Sequence, residues 1–167
     1  MRHAMSCLIL CLVSTACAGD SPVPLPQRED GLWEVSVTAV GVRRARPVVT
    51  RECTSAEVDA HLLLSQAPGQ EHCDAPEVTA TGSGWQVRTR CRVHGSDVET
   101  VFAFEGDFRT AYAGRFDSRN AAACEHRPSD CRQQGSITAR RLGECPDTLQ
   151  PGYRQLPNGI VVHPSGT

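Results

Sequence analysis

Residues 85–104, WQVRTRCRVHGSDVETVFAF, decide the fold. Trp85, Val87, Thr89, Cys91 and Val93 occupy every second position, with Gln86, Arg88, Arg90 and Arg92 between them. A period of two places one set on each face of a strand. Past His94-Gly95, the residues Val98, Thr100, Phe102 and Phe104 share a face opposite Asp97, Glu99 and Glu105. A two-residue turn at His94-Gly95 sets the register. It pairs Arg92 with Asp97, Arg90 with Glu99, Val87 with Phe102 and Trp85 with Phe104. Each cross-strand pair is worth only about 0.2–1 kcal/mol. The agreement of all of them decides the reading, because a one-residue slip would turn every side chain to the wrong face.

Working outward, Gly82-Ser83 turns 77–81 onto Trp85 and matches Ala80 to Trp85, Val78 to Val87 and Glu77 to Arg88. A Gly106-Asp107-Phe108 loop matches Phe102 to Tyr112, Glu105 to Arg109 and Glu99 to Arg115. Upstream, Trp33, Val35, Val37 and Ala39 alternate with polar residues as a half-buried strand, and 48–53 is a second. Between them 41–47 (GVRRARP) is a basic loop. Thr54-Ser55-Ala56-Glu57 matches a capping box, and Val58 and Leu62 share a face, so a helix of two to three turns is predicted before Ala67-Pro68-Gly69. Residues 120–130 read as irregular and 135–142 as the last strand. The predicted fold is all-β: a mainly antiparallel meander of six or seven strands, curved into an open sheet or half-barrel, with one short helix. The domain spans 31–146, and the Pro- and Gly-rich residues 147–167 read as a disordered tail.

The chain has 167 residues, a net charge of −2 and a sequence pI near 6.3, so nothing points to nucleic acid. Two Trp, two Tyr and four Phe make a core poor in large side chains, one that gains from covalent help. The apolar run CLILCLVSTA from Cys7 to Ala16 is too short to span a bilayer but suits a signal peptide. Two cleavage readings compete. Ala16-Cys17-Ala18 fits a cut before Gly19. Ser14-Thr15-Ala16-Cys17 resembles a lipobox, with cleavage before Cys17 and lipid on its sulfur, although Ser14 stands where Leu is usual. The short apolar run and the Pro-rich linker over 18–30 favour the second, so residues 1–17 read as a lipoprotein-like signal peptide. The location expected is the cell envelope, periplasmic and anchored to a membrane by lipid. Six cysteines remain past residue 50: Cys53, Cys73, Cys91, Cys124, Cys131 and Cys145. An even set in an exported domain reads as a disulfide framework, whose pairing spacing alone does not choose.

Three landmarks carry a resemblance. Gly31-Leu32-Trp33-Glu34 opens the domain, Arg51-Glu52-Cys53-Thr54 precedes the helix, and Arg140-Arg141-Leu142-Gly143-Glu144-Cys145-Pro146 closes it. With Cys73 and Cys91 between them, they make the chain similar to a bacterial family of exported domains of unknown function, number 3617. The resemblance implies export, often with a lipoprotein-like signal, and no established activity. Cys124 and Cys131 look like an addition to the usual four cysteines. In that frame Cys73 pairs with Cys91 across the first hairpin of the meander. The register puts Asp74 opposite Cys91, so this bridge needs a kink, which Pro76 can supply. Cys124 then pairs with Cys131, and Cys53 with Cys145.

No catalytic constellation stands out, and the chain is expected not to be an enzyme. His94-Gly95-Ser96-Asp97 lies side by side in a tight turn, and Ser83 is a hairpin tip with no strand-turn-helix context. Cys124-Glu125-His126 and Asp130-Cys131 contain metal-ligand residue types without a matched second pair, which favours a local disulfide over a metal. Arg43, Arg44 and Arg46 form a loop suited to solvent or to lipid head groups. Arg88, Arg90 and Arg92 face acidic partners, and His61 and His72 read as surface or helix-end residues. No cofactor or metal is expected. The functional expectation rests on Trp33, Trp85, Phe102, Phe104, Tyr112 and Phe116, which fall on the inner face of a curved meander. They form a candidate concave surface for an apolar or amphipathic small molecule. The alternative is a structural or partner-binding envelope lipoprotein with no small-molecule ligand.

Overall fold

The alternation in 85–104 forms the hairpin it implies. In a computed structural model describing residues 23–40, 46–70, 72–126 and 131–164, Arg92 faces Asp97, Arg90 faces Glu99, Val87 faces Phe102 and Trp85 faces Phe104. His94 and Gly95 both take positive φ, 48° and 80°, as a two-residue turn joining right-twisted strands requires.

The strands are β1 (Gly31–Ala39), β2 (Val48–Thr54), β3 (Glu77–Ala80), β4 (Trp85–Val93), β5 (Ser96–Gly106), β6 (Ala111–Asn120), β7 (Arg132–Gly143), β8 (Arg154–Gln155) and β9 (Val161–Val162). The helices are α1 (Asp59–Leu64) and α2 (Ala121–His126). All the pairings are antiparallel, in one open sheet of order β3-β4-β5-β6-β7-β1-β2-β8-β9. The meander runs from β3 to β7. Strand β7 then pairs with β1, which brings the two ends of the domain together at the centre of the sheet. The architecture is the mainly antiparallel one expected, with nine strands among the described residues rather than six or seven, and a second short helix at 121–126 in the stretch read as irregular.

The β5–β6 register differs from the sequence reading by four residues. Phe102 faces Phe116, Gly106 faces Tyr112 and Glu99 faces Arg119. The connecting loop is wider than three residues because Asp107 organises it. One Asp107 carboxylate oxygen accepts the backbone N–H groups of Arg109, Thr110 and Ala111, and the other accepts the Thr110 hydroxyl. Those bonds hold the Asp107 carboxyl well below the usual carboxylate range, the Thr110 hydroxyl first among them. Phe108, at φ 55°, is turned into the core. An even shift keeps each residue on its face, so the aromatic set stays inside.

Three disulfides close the framework: Cys53–Cys145, Cys73–Cys91 and Cys124–Cys131. Cys73 lies directly opposite Cys91, whereas Glu77 pairs with Arg88, so the chain absorbs one residue between them, at the segment holding Pro76. The Thr54–Glu57 capping box does not form. α1 begins later, at Asp59, and the Thr54 hydroxyl donates to the Asp59 side chain instead, at 2.9 Å.

Both flanks differ from their sequence reading. Within the stretch read as a linker, residues 23–30 pack along the domain. Pro26 and Arg28 are buried, Leu25 packs on the core, and the Glu29 N–H donates to the Phe108 carbonyl. Within the stretch read as a disordered tail, Leu149 is buried and β8 and β9 extend the sheet beyond β2. Specific partners outweigh composition at both ends: a buried ion cluster for the first, and the Cys53–Cys145 bridge with Arg154 for the second.

Candidate functional site

The inner face carries the expected aromatic residues, and the structure does bring them together. Trp33, Phe102, Phe104, Tyr112 and Phe116 are buried, Trp85 is half-buried, and Phe108 joins them from the β5–β6 loop. They contact one another as tilted, stacked and edge-on rings, with centroids 5.1–6.4 Å apart, the spacing at which aromatic pairs are favourable. Leu63 of α1 packs over the same cluster. Two glycines make room. A Cβ on Gly114 would lie 2.7 Å from the Phe104 ring, and one on Gly135 would collide with Phe116. These rings form a filled core, so the expected ligand face is closed where Trp33, Phe102, Phe104 and Tyr112 meet.

Beside this core lies a charge cluster that the sequence reading missed. Arg28 Nε donates to Asp59 at 2.5 Å and Nη1 to Glu52 at 3.0 Å, with all three side chains buried. Its backbone N–H also donates to Asp59. Glu52 accepts from Arg154 Nε at 2.6 Å and Gln66 Nε2 at 2.8 Å. Burial alone would raise the Glu52 carboxyl, but the facing guanidiniums of Arg28 and Arg154 outweigh it and hold Glu52 below the usual carboxylate range. The Arg28 guanidinium also lies 5.8 Å from the Trp33 ring centroid, within cation–π range. The cluster fastens the N-terminal segment, α1 and the tail to β2, and its two arginines balance its two carboxylates. Its only sequence signal was Glu52 within the Arg51–Thr54 landmark.

Past the cluster the inner face opens. Between the ends of β1, β2, β6, β7 and β8 lies a cleft of about 780 Å³. Its apolar lining includes Val37, Ala39, Val40, Val48, Pro68, Phe116 and Leu156. Its polar lining comes from Thr50, from Gln66, Gln133 and Gln134, and from Arg46, Arg132 and Arg154, with no carboxylate among the described lining residues. Arg132 is engaged with Asp117 and Arg154 with Glu52, whereas Arg46 has no ion pair among the described residues. Phe116 is the one residue of the expected aromatic face that reaches this space.

The remaining candidates fall as follows. His94 and Ser96 sit in the β4–β5 turn, and Asp97 pairs with Arg92 on the exposed face. Ser83 donates to Glu105 at a hairpin tip. Arg88 pairs with Glu99, and Arg90 with Glu77 and Glu99. Cys124 and Cys131 are joined to each other, and no group of three or more His, Cys, Asp or Glu suited to a metal occurs among the described residues. His61 stacks with His163, and His72 is exposed, its backbone carbonyl accepting from Arg92 N–H. The lipidation candidate Cys17, the signal segment, Arg43, Arg44 and Asp130 lie outside the described residues.

The three sequence landmarks meet on adjacent strands. Trp33 is the cross-strand neighbour of both Glu52 and Arg141, Glu34 forms a 2.7 Å ion pair with Arg140, and Cys53 is bridged to Cys145. Three disulfides indicate an oxidising, extracytoplasmic location. Neither the curated proteins nor the solved structures include a match to the chain. The family model described as a protein of unknown function, DUF3617, matches residues 28–145, from the buried Arg28 to the Cys145 that closes the framework, and the chain belongs to that family.

Proposed function

We propose that this is a non-enzymatic envelope protein that binds an apolar or amphipathic small molecule in the cleft beyond its filled core. One observation carries the reading. The inner face, solid at Trp33 and Phe102, continues into an open space of about 780 Å³ floored by Val37, Val48, Phe116 and Leu156. That volume lies within the range of small-molecule pockets, and a mostly apolar wall with a few placed polar groups is their usual composition. The protein is held at a membrane by lipid on Cys17, a reading supported by the lipobox-like Ser14–Cys17 segment.

Native mass spectrometry of protein isolated from the envelope tests this. A retained small-molecule mass is expected, lost in Val37→Trp, whose indole would fill the cleft floor. A bare mass in the unsubstituted protein, with no saturable uptake of a long-chain probe, would overturn the reading. Intact mass of the same sample reports the anchor: diacylglyceryl and acyl additions on Cys17 are expected, and a chain beginning at Gly19 would contradict the anchor.

A further inference from the structure

The cleft does not end at its apolar floor. Behind a ledge formed by Gln66, Pro68 and Arg154 lies a second cavity of about 260 Å³, lined also by His61, Ser65 and Gln70. The ledge residues line both spaces, and no carboxylate lines either among the described residues. One space is therefore mostly apolar and the other mostly polar, with an arginine standing in the wall between them.

The hydrogen bonds of Arg154 fix it there. Nε donates to Glu52 at 2.6 Å, Nη2 to the Ser65 hydroxyl at 2.8 Å and Nη1 to the Ser65 carbonyl at 3.5 Å. A guanidinium carries five N–H donors, so one on each terminal nitrogen has no partner among the described residues. The side chain is only 15% exposed, and Arg154 lines both cavities. Glu52 behind it is fully buried and holds the fork in place before any ligand arrives, which removes part of the ordering cost of binding.

Resting on the cleft reading above, we infer that the ligand is a long-chain carboxylate, its hydrocarbon on the Val37–Phe116–Leu156 floor and its carboxylate on a free Nη donor of Arg154, which lines that cleft. A guanidinium N–H bonded to a carboxylate oxygen is charge-assisted, and such bonds are the stronger class. An alcohol of equal chain length offers only a neutral oxygen, and its bond to the guanidinium lacks the ligand's charge. The second cavity keeps room for the water that solvates the head group.

The test uses the mature, oxidised protein with palmitate and 1-hexadecanol below their aggregation limits. Palmitate is expected to bind at least about tenfold more tightly, the scale of a hydrogen bond to a charged group. Arg154→Gln should bring the two within about twofold while hexadecanol affinity holds. In the unsubstituted protein, palmitate but not hexadecanol should shift the Arg154 guanidinium Nη–H resonances, and this decides the matter if Arg154→Gln does not fold. Loss of palmitate binding in Val37→Trp, together with equal affinities or unmoved Arg154 Nη–H resonances, would leave the cleft standing and overturn the carboxylate assignment. Undiminished palmitate binding in Val37→Trp would overturn both.

Discussion

Replacing Arg28 with Met keeps most of the side-chain length and removes the charge from the centre of the buried cluster. Asp59 is left with the Thr54 hydroxyl and the residue-28 backbone N–H, while Glu52 keeps Arg154 and Gln66. Removing one partner of a buried ion pair typically costs about 3–5 kcal/mol, because the other charge stays buried without compensation. Since Glu52 retains a guanidinium and Asp59 does not, the lower end, about 3 kcal/mol, is expected. With a urea m-value of about 1–3 kcal/mol/M, the unfolding midpoint falls by roughly 1–3 M. The assay is equilibrium urea unfolding of the oxidised protein at pH 7, followed by Trp fluorescence. Arg109→Met, on an exposed hairpin tip, should stay within about 0.5 kcal/mol of the parent. The triple variant Arg28→Met, Glu52→Gln, Asp59→Asn should recover part of the loss, because no buried charge is then left unpaired. A loss below about 1 kcal/mol for Arg28→Met would refute the assignment. A loss that the triple variant does not relieve would make it a matter of packing rather than charge.

Three further predictions concern the scaffold. The folded pKa of Glu52 is depressed, so its contribution is complete above the unfolded value of about 4.3 and is lost as pH falls through the lower folded value. Urea midpoints between pH 7 and 3 should therefore fall more steeply below about 4.3 in the parent than in Glu52→Gln, and parallel profiles would contradict this. Paired Cys→Ser replacements should destabilise in the order of the loops they open, with separations of 92, 18 and 7 residues. The chain-entropy model gives about 4–5, about 3 and about 2 kcal/mol for Cys53–Cys145, Cys73–Cys91 and Cys124–Cys131, measurable by the same unfolding assay. Gly135→Ala should cost about 1–3 kcal/mol through collision of its methyl group with the Phe116 ring, and a neutral result would show that the ring has room to move.

The parts of the fold legible in the sequence are those where local chemistry leaves no slack. His94-Gly95 allows one tight turn, so the β4–β5 register follows from it. The β5–β6 register did not follow, because a period of two cannot separate shifts of zero and four residues. Only the side chain of Asp107, gathering three N–H groups, tells the loop how wide to be. Phe108 looked like a turn residue, and its positive φ buries it. Arg28 sits among prolines, and what buries it lies 24 and 31 residues away, beyond any local pattern. The tail reads as disordered by composition, yet Leu149 and Arg154 each find a partner site that exists only in three dimensions. For the same reason the cleft was out of reach: its walls come from β1, β2, β6, β7, the segment after α1 and the tail. The aromatic inner face was legible as a face. Whether it is filled depends on α1, on Phe108 and on the spaces left by Gly114 and Gly135.

The most direct test titrates isotopically labelled mature protein with palmitate and follows methyl and aromatic resonances. Saturable shifts confined to Val37, Ala39, Val48, Phe116 and Leu156, with Trp33, Phe102 and Phe104 unmoved, are the expected result. Shifts centred on Trp33 and Phe102, or no saturable change at any ratio of lipid to protein, would contradict a solid core flanked by an open, occupied cleft.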